Sequence, residues 1–209
     1  MVISLIHPSR GRPEKAFVTA NKWMKYAGGA HVEHIFSLDS SDPTAGQYAP
    51  IQKIIINDND CVVQATNHAA KEATGDVLIY LSDDFDCFEE WAEKIVVTCR
   101  QYTGEYVLKV NDGLQDFRSE VLTIPIMSKA LYNRLGYFFY PEYKSMWVDV
   151  DLFHTCNKLG VIKWHRDITF QHNHYCNGKS QRDDTYTRSD GFWNQGKEVI
   201  AKRRKQGFA

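Results

Sequence analysis

Through its first hundred residues the chain alternates between short β-branched runs and segments of helical period, which leaves few folds open. Val2–Ile6 is an apolar run closed by the turn-forming His7-Pro8-Ser9-Arg10-Gly11-Arg12-Pro13. Over Glu14–Tyr26, apolar residues recur at Ala16, Phe17, Ala20, Trp23 and Met24, the spacing of one helix face, until Gly28-Gly29 stops it. Val32–Leu38, Lys53–Ile56 and Asp76–Leu81 read as further strands, Cys61–Ala73 and Phe88–Arg100 as further helices, and residues 44–50 as loop. Strands alternating in this way with helices predict an α/β domain with a mostly parallel central sheet and helices on both faces.

The second half is less regular. Glu105–Val110, Val121–Ile126, Val161–Trp164 and Ile168–His174 read as strands, and Ser128–Leu135 and Met146–Leu159 as helices. Between those helices lies an aromatic loop, Gly136–Tyr143. Residues 1–176 are expected to form one domain, with 1–100 binding a ligand through its strand ends and 101–176 facing a second substrate. Residues 177–209 read as a polar extension: a mobile loop over Asn177–Asp190, then a helix over Glu198–Lys205.

The balance of charge excludes one broad class. Lys plus Arg number 25 and Asp plus Glu 26, so no basic field exists to collect a nucleic acid. The one basic cluster, Lys202-Arg203-Arg204-Lys205, reads as a solvated helix end, and it leaves peripheral contact with an acidic membrane open. The five cysteines are scattered without a CxxC pair, which fits a reducing compartment. No apolar stretch approaches the ~20 residues that span a bilayer. The opening MVISLIHPSRGRP lacks the form of a signal peptide. A cytoplasmic location is expected.

In open α/β sheets, ligands bind at the carboxyl ends of the strands. Here those ends carry Ser9 and Arg10, then Asp39 and Asp42, then Asn57 and Asp58, then Asp83, Asp84 and Asp86. The last group directly follows the apolar run Val77–Leu81. Carboxylates crowded in this way raise one another's pKa unless a cation relieves them. Asp84 and Asp86, two apart, point the same way in an extended segment and would suit Mg2+ or Mn2+. The plainer reading makes Asp83 or Asp84 a cap for the helix near Phe88. Asp149 and Asp151, at the start of a helix, read either as caps or, for Asp149, as a general base beside an acceptor. His172, His174 and Cys176 would share a strand face; a histidine here would be a late metal ligand, and zinc would lack an evident fourth partner.

The order of these parts resembles the family 2 glycosyltransferases. The Pro8-Ser9-Arg10 loop, the strand ending at Asp39, the Asn67-bearing helix with Ala69, Ala70, Ala73 and Gly75, "VLIYLSDDFD" and "WVDVDLFHTCNKLG" follow in the family's sequence. The chain departs where Ser82 and Val148 replace acids common in the family, and where the aromatic loop 136–143 replaces a glycine-rich motif. The resemblance implies a GT-A fold and an inverting, metal-dependent transfer from a nucleotide-diphosphate-sugar, UDP- or GDP-linked, to a carbohydrate or other hydroxyl. It implies that Asp84 and Asp86, with His172 or His174, hold Mn2+ or Mg2+, with Asp83 as the alternative partner. It further implies that Pro8, Ser9, Arg10, Asp39 and Asn67 serve the nucleoside side, that Arg12 reaches phosphate, and that Asp149 takes the acceptor's proton. Tyr137, Phe138, Tyr140, Tyr143 and Trp147 would offer stacking faces to an acceptor sugar. Two rivals stand beside this reading: a nucleotidyltransferase acting on a sugar phosphate, and a non-catalytic carbohydrate- or nucleotide-binding module.

Overall fold

The computed structural model describes residues 1–48 and 53–208; the last two residues of the expected loop 44–50 lie outside that range. A seven-stranded sheet forms the centre, in the order β3-β2-β1-β4-β7-β6-β8. Its strands are β1 (Val2–Ser9), β2 (His31–Asp39), β3 (Lys53–Asn57), β4 (Val77–Tyr80), β6 (Val107–Asn111), β7 (Ile126–Ser128) and β8 (Ile162–Thr169). The first four pair in parallel, as the alternation of the sequence requires. β7 runs antiparallel between β4 and β6. A small second sheet pairs β5 (Phe85–Asp86) with β9 (Gln171–His172).

The helices are α1 (Pro13–Lys25), α2 (Val62–Glu72), α3 (Trp91–Cys99), α4 (Lys129–Leu135), α5 (Val148–Leu159), α6 (Asp184–Asp190) and α7 (Trp193–Lys205). One apolar layer joins Trp23 of α1 and Trp91 of α3 to Phe170, with ring centroids 4.8 Å and 4.9 Å from Trp23. Both indoles are satisfied: Trp23 Nε1 donates to the Phe85 carbonyl and Trp91 Nε1 to the Trp23 carbonyl. The other layer joins α2, α4, α5 and α7 to the aromatic loop.

Several boundaries differ from the sequence reading. The strand expected over Val121–Ile126 begins only at Ile126, because Pro125 offers no amide to a ladder. Leu122 and Ile124 are buried all the same, and the Leu122 amide donates to the Asp149 carbonyl. The strand expected over Ile168–His174 is split at Phe170 between β8, which joins the main sheet, and β9, which joins the small one. The segment Asn177–Asp190, expected as loop, contains α6, with Asp183 capping it through the Tyr186 amide.

A part-buried clasp ties β1 and β2 to the turn before β4. Gly75 sits so close to Ser4 that an added Cβ would lie 2.4 Å from its Oγ, so only glycine fits. The Glu33 carboxylate accepts from Ser4 Oγ and from the Thr74 and Gly75 amides. Burial pushes this carboxyl up, but the three donors outweigh it and hold it below its ordinary range. Such a carboxylate stabilises the fold above its unfolded pKa, and the gain fades as pH falls through the folded value. Glu33→Gln is therefore expected to lose up to about 1 kcal/mol at pH 7, reduced by solvent screening, and to draw closer to the parent protein as pH falls below the ordinary carboxylate range. Urea titrations at neutral and at acid pH check this.

Candidate functional site

The carboxyl ends of β1, β2 and β4 open into a cleft of about 750 Å3. Its wall includes Pro8, Ser9, Arg10, Arg12 and Asp39 from the first strands, Ser82, Asp83 and Asp84 after β4, and Asp149, His172 and His174 from the second half. Asn67 and Asp86 do not line it.

The two adjacent aspartates divide their labour. Asp83 is buried with both oxygens committed: Oδ1 lies 3.0 Å from His7 Nε2, and Oδ2 accepts from Ser9 Oγ at 3.0 Å. His7 Nδ1 in turn lies 2.8 Å from His34 Nε2, so a relay of buried polar groups braces this turn from behind. Asp84 is different. Its Oδ2 accepts from the Tyr186 hydroxyl at 2.7 Å and lies 3.3 Å from His172 Nε2, while its Oδ1 is buried with no partner. Burial pushes the Asp84 carboxyl up, but His172 and the Tyr186 and Ser82 hydroxyls outweigh it and hold it well below the carboxylate range. It is thus a negative charge with one oxygen unused.

Asp84, His172 and His174 each offer a ligand atom, and these atoms lie within 4.8 Å of one another. His172 Nδ1 is also buried without a partner. Two buried polar atoms left without partners on neighbouring side chains are what a cation could satisfy. β9 brings the histidines here: its His172 pairs with Phe85, and the Asn173 amide donates to the Asp84 carbonyl at 2.8 Å. One carboxylate and two imidazoles depart from the all-oxygen set Mg2+ prefers and suit a first-row transition ion.

Asp86 is not brought to this cluster: it pairs with Lys22 at 2.5 Å and does not line the cleft. The two acids do not share an extended segment: Phe85 N donates to the Ser82 carbonyl, which puts Asp84 inside a tight turn, while Asp86 lies in β5. Nor does Asn67 line the cleft: its Oδ1 accepts from the Phe138 and Phe139 amides and its Nδ2 donates to the Phe139 carbonyl, so it clamps the aromatic loop. Of the five aromatics expected to face an acceptor, only Trp147 lines the cleft; Phe138 and Tyr143 are core. Cys176 is exposed and outside the Asp84–His172–His174 cluster.

The arginines stand at the cleft mouth, held by acids. Arg10 pairs with Asp39 and donates to Ser41 Oγ. Arg12 grips Asp183 through Nε at 2.8 Å and a terminal nitrogen at 2.5 Å, and its guanidinium lies 4.2 Å from the Tyr186 ring centre. Asp149 sits in the first turn of α5. Burial pushes its carboxyl up, and the Asp112 charge adds to this, while the Val150 amide and the His172 charge oppose it.

Sequence reasoning missed α6 and the start of α7. Tyr186, Phe192 and Trp193 all line the cleft. The signal was present as Asp183 three residues before Tyr186, a helix start inside a polar stretch. The basic cluster was also misread at one position: Arg203 is buried against Asp151, and Lys202 pairs with Glu142, so it is not a uniformly solvated end. Among the described residues no helix is long and apolar enough to cross a membrane.

No family sequence model matches the chain, and no curated protein matches it in sequence. Solved structures match in fold. Staphylococcus aureus TarS 1–349 in complex with UDP-GlcNAc is 16% identical, with a TM-score of 0.70 over 90% of this chain and 61% of that one. A mannosyltransferase from Pyrobaculum calidifontis in complex with GDP-Man and Mn2+ is 12% identical, with a TM-score of 0.65 over 81% and 56%. A Drosophila galactosyltransferase in complex with manganese, UDP-Gal and xylobiose is 11% identical, with a TM-score of 0.60 over 90% and 78%. This chain spans 60% of TarS 1–349 in its UDP complex and 36% of the longer TarS chain. The fold is that of the GT-A glycosyltransferases.

Proposed function

We propose that this chain is an inverting, metal-dependent glycosyltransferase that moves a sugar from a UDP- or GDP-linked donor to an acceptor hydroxyl. The observation that carries the reading is the buried, unpartnered Oδ1 of Asp84 beside His172 and His174, at the carboxyl end of a parallel sheet. Mn2+ held there would neutralise charge on the departing diphosphate, an effect worth several kcal/mol. Asp39 and Ser9, with Pro8, line the cleft and would hold the nucleoside. Arg12 would exchange Asp183 for a phosphate oxygen, a partner of equal charge sign and suitable geometry. Asp83, fully bonded within the protein, supports the turn and leaves the ligand role to Asp84. The Asp149 carboxylate, made more basic by burial, would take the acceptor's proton as the new bond forms.

Thermal unfolding with UDP and with GDP, each with Mn2+ or EDTA, tests this. A nucleotide at about 100 times its Kd stabilises by ~2.7 kcal/mol. The expected result is a rise in melting temperature that needs Mn2+ and is lost in Asp84→Asn. A full response in EDTA, or one that survives Asp84→Asn, would overturn the metal site.

A further inference from the structure

Two tryptophans stand together in the cleft that Asp149 also lines. Trp147 precedes α5 with φ at 74°, a left-handed conformation that bulky residues rarely adopt. Its indole lines the cleft, and its Nε1 is buried with no hydrogen-bond partner. Trp193 opens α7, lines the same cleft, and is 48% exposed. Their ring centroids lie 4.9 Å apart at 56°.

The pair is held in place from behind. Gly196 lies one turn along α7 from Trp193, and a Cβ there would come 2.2 Å from the Met146 carbonyl oxygen and 2.8 Å from Trp147 Cδ1. Only glycine lets α7 press this closely, and that approach sets Trp193 against Trp147. Gln195 stitches the contact: its Nε2 donates to the Glu142 carbonyl at 2.7 Å, and its Oε1 accepts from the Lys144 amide at 3.3 Å.

A half-exposed indole face on a cleft wall costs free energy unless something covers it, and a buried N–H left unpaired costs more. Neutral ring sugars supply both partners: a flat face of C–H groups for the indole and hydroxyl oxygens for the N–H. We infer that Trp193 and Trp147 form the acceptor subsite and that it takes a pyranose ring, stacked on Trp193, with one hydroxyl oxygen accepting from Trp147 Nε1. An acyclic polyol has no lasting flat face and is not expected to bind here. The subsite rests on the proposed function only in being called the acceptor's, since Asp149 is what makes this the attacking side.

The test follows the indole N–H resonances of the nitrogen-15-labelled protein during titration with methyl β-glucoside, methyl β-galactoside, N-acetylglucosamine, cellobiose and lactose. Ribitol is the acyclic comparison. At least one ring sugar should shift the Trp147 and Trp193 resonances at millimolar concentration, and ribitol should shift neither. Trp193→Ala should weaken that sugar's binding about tenfold or more, and Trp193→Phe, which keeps a stacking face and guards against a misfolded variant, by less than about threefold. The subsite is overturned if no ring sugar moves either resonance, if ribitol binds as well, or if Trp193→Ala binds like the parent. The Mn2+-dependent response to UDP and GDP, read on the unaltered protein, reports separately on the donor side. Its absence would sink the proposed transferase without deciding whether the tryptophans hold a sugar.

Discussion

Asp149→Asn is expected to lower turnover by about 10²- to 10⁴-fold while leaving Mn2+-dependent nucleotide binding unchanged. The amide keeps the shape and can still accept from the Val150 amide, so α5 keeps its first turn. What it loses is the basic lone pair. The measurement is release of nucleoside diphosphate from the donor that stabilises the protein most, to water or to an added sugar. Two further consequences follow from the raised carboxyl pKa. The acid limb of the rate should lie above the ordinary carboxylate value of about 4, because the base is lost as pH falls through its raised pKa. The sign for stability is opposite to that of Glu33: burial disfavours the charged form in the folded state, so charged Asp149 weakens the fold at neutral pH. Asp149→Asn should thus melt no lower than the parent at pH 7. An inactive variant that is also unstable would point to a structural role, and unchanged turnover would remove Asp149 as the base.

The parts of this site that were legible in the sequence share one property: they lie at the ends of regular elements. The run Val77–Leu81 ending in acids placed Asp83 and Asp84 at a strand mouth, and the parallel pairing of β1, β2 and β4 carried Ser9, Arg10 and Asp39 to the same edge. The roles within the acid cluster were not legible. Which oxygen stays free depends on His7, Ser9 and Tyr186, which approach from positions 76, 74 and 102 residues away in the chain. The two-residue spacing of Asp84 and Asp86 pointed the wrong way because Asp84 sits inside a tight turn while Asp86 lies in the strand that follows it. Asn67 had the right place in a helix but the wrong partner, since its side chain was needed by the amides of Phe138 and Phe139. Composition concealed α6 and the start of α7. A stretch rich in polar residues reads as solvent-facing, yet Tyr186 is buried because its ring covers the cleft and its hydroxyl reaches Asp84.

Arg203→Ala is expected to cost about 3–5 kcal/mol of stability. Arg203 and Asp151 are almost fully buried, with Nε 2.9 Å from Oδ2. Asp151 also accepts from the Tyr143 hydroxyl at 3.1 Å and from Thr155 Oγ1 at 3.2 Å. The guanidinium lies 4.0 Å from the Tyr140 ring centre, so one side chain ties α7 to α5 and to the aromatic loop. Removing it leaves a buried carboxylate with only neutral donors, which costs more than the pair itself is worth. For a chain of this size the loss corresponds to a melting temperature lower by about 6–20 °C. Replacing both partners, Arg203→Met with Asp151→Leu, removes the stranded charge and should recover at least half of the loss. A loss below about 1 kcal/mol in Arg203→Ala would place this pair among ordinary surface contacts. The effect should also reach the cleft. Asp151 lies two residues past Asp149 in α5, and α7 carries Trp193, so loosening this joint frees both walls of the attacking side at once. Sugar-induced shifts of Trp147 and Trp193 should therefore weaken in Arg203→Ala below its melting temperature, while the Mn2+-dependent nucleotide response, built on the opposite wall, persists.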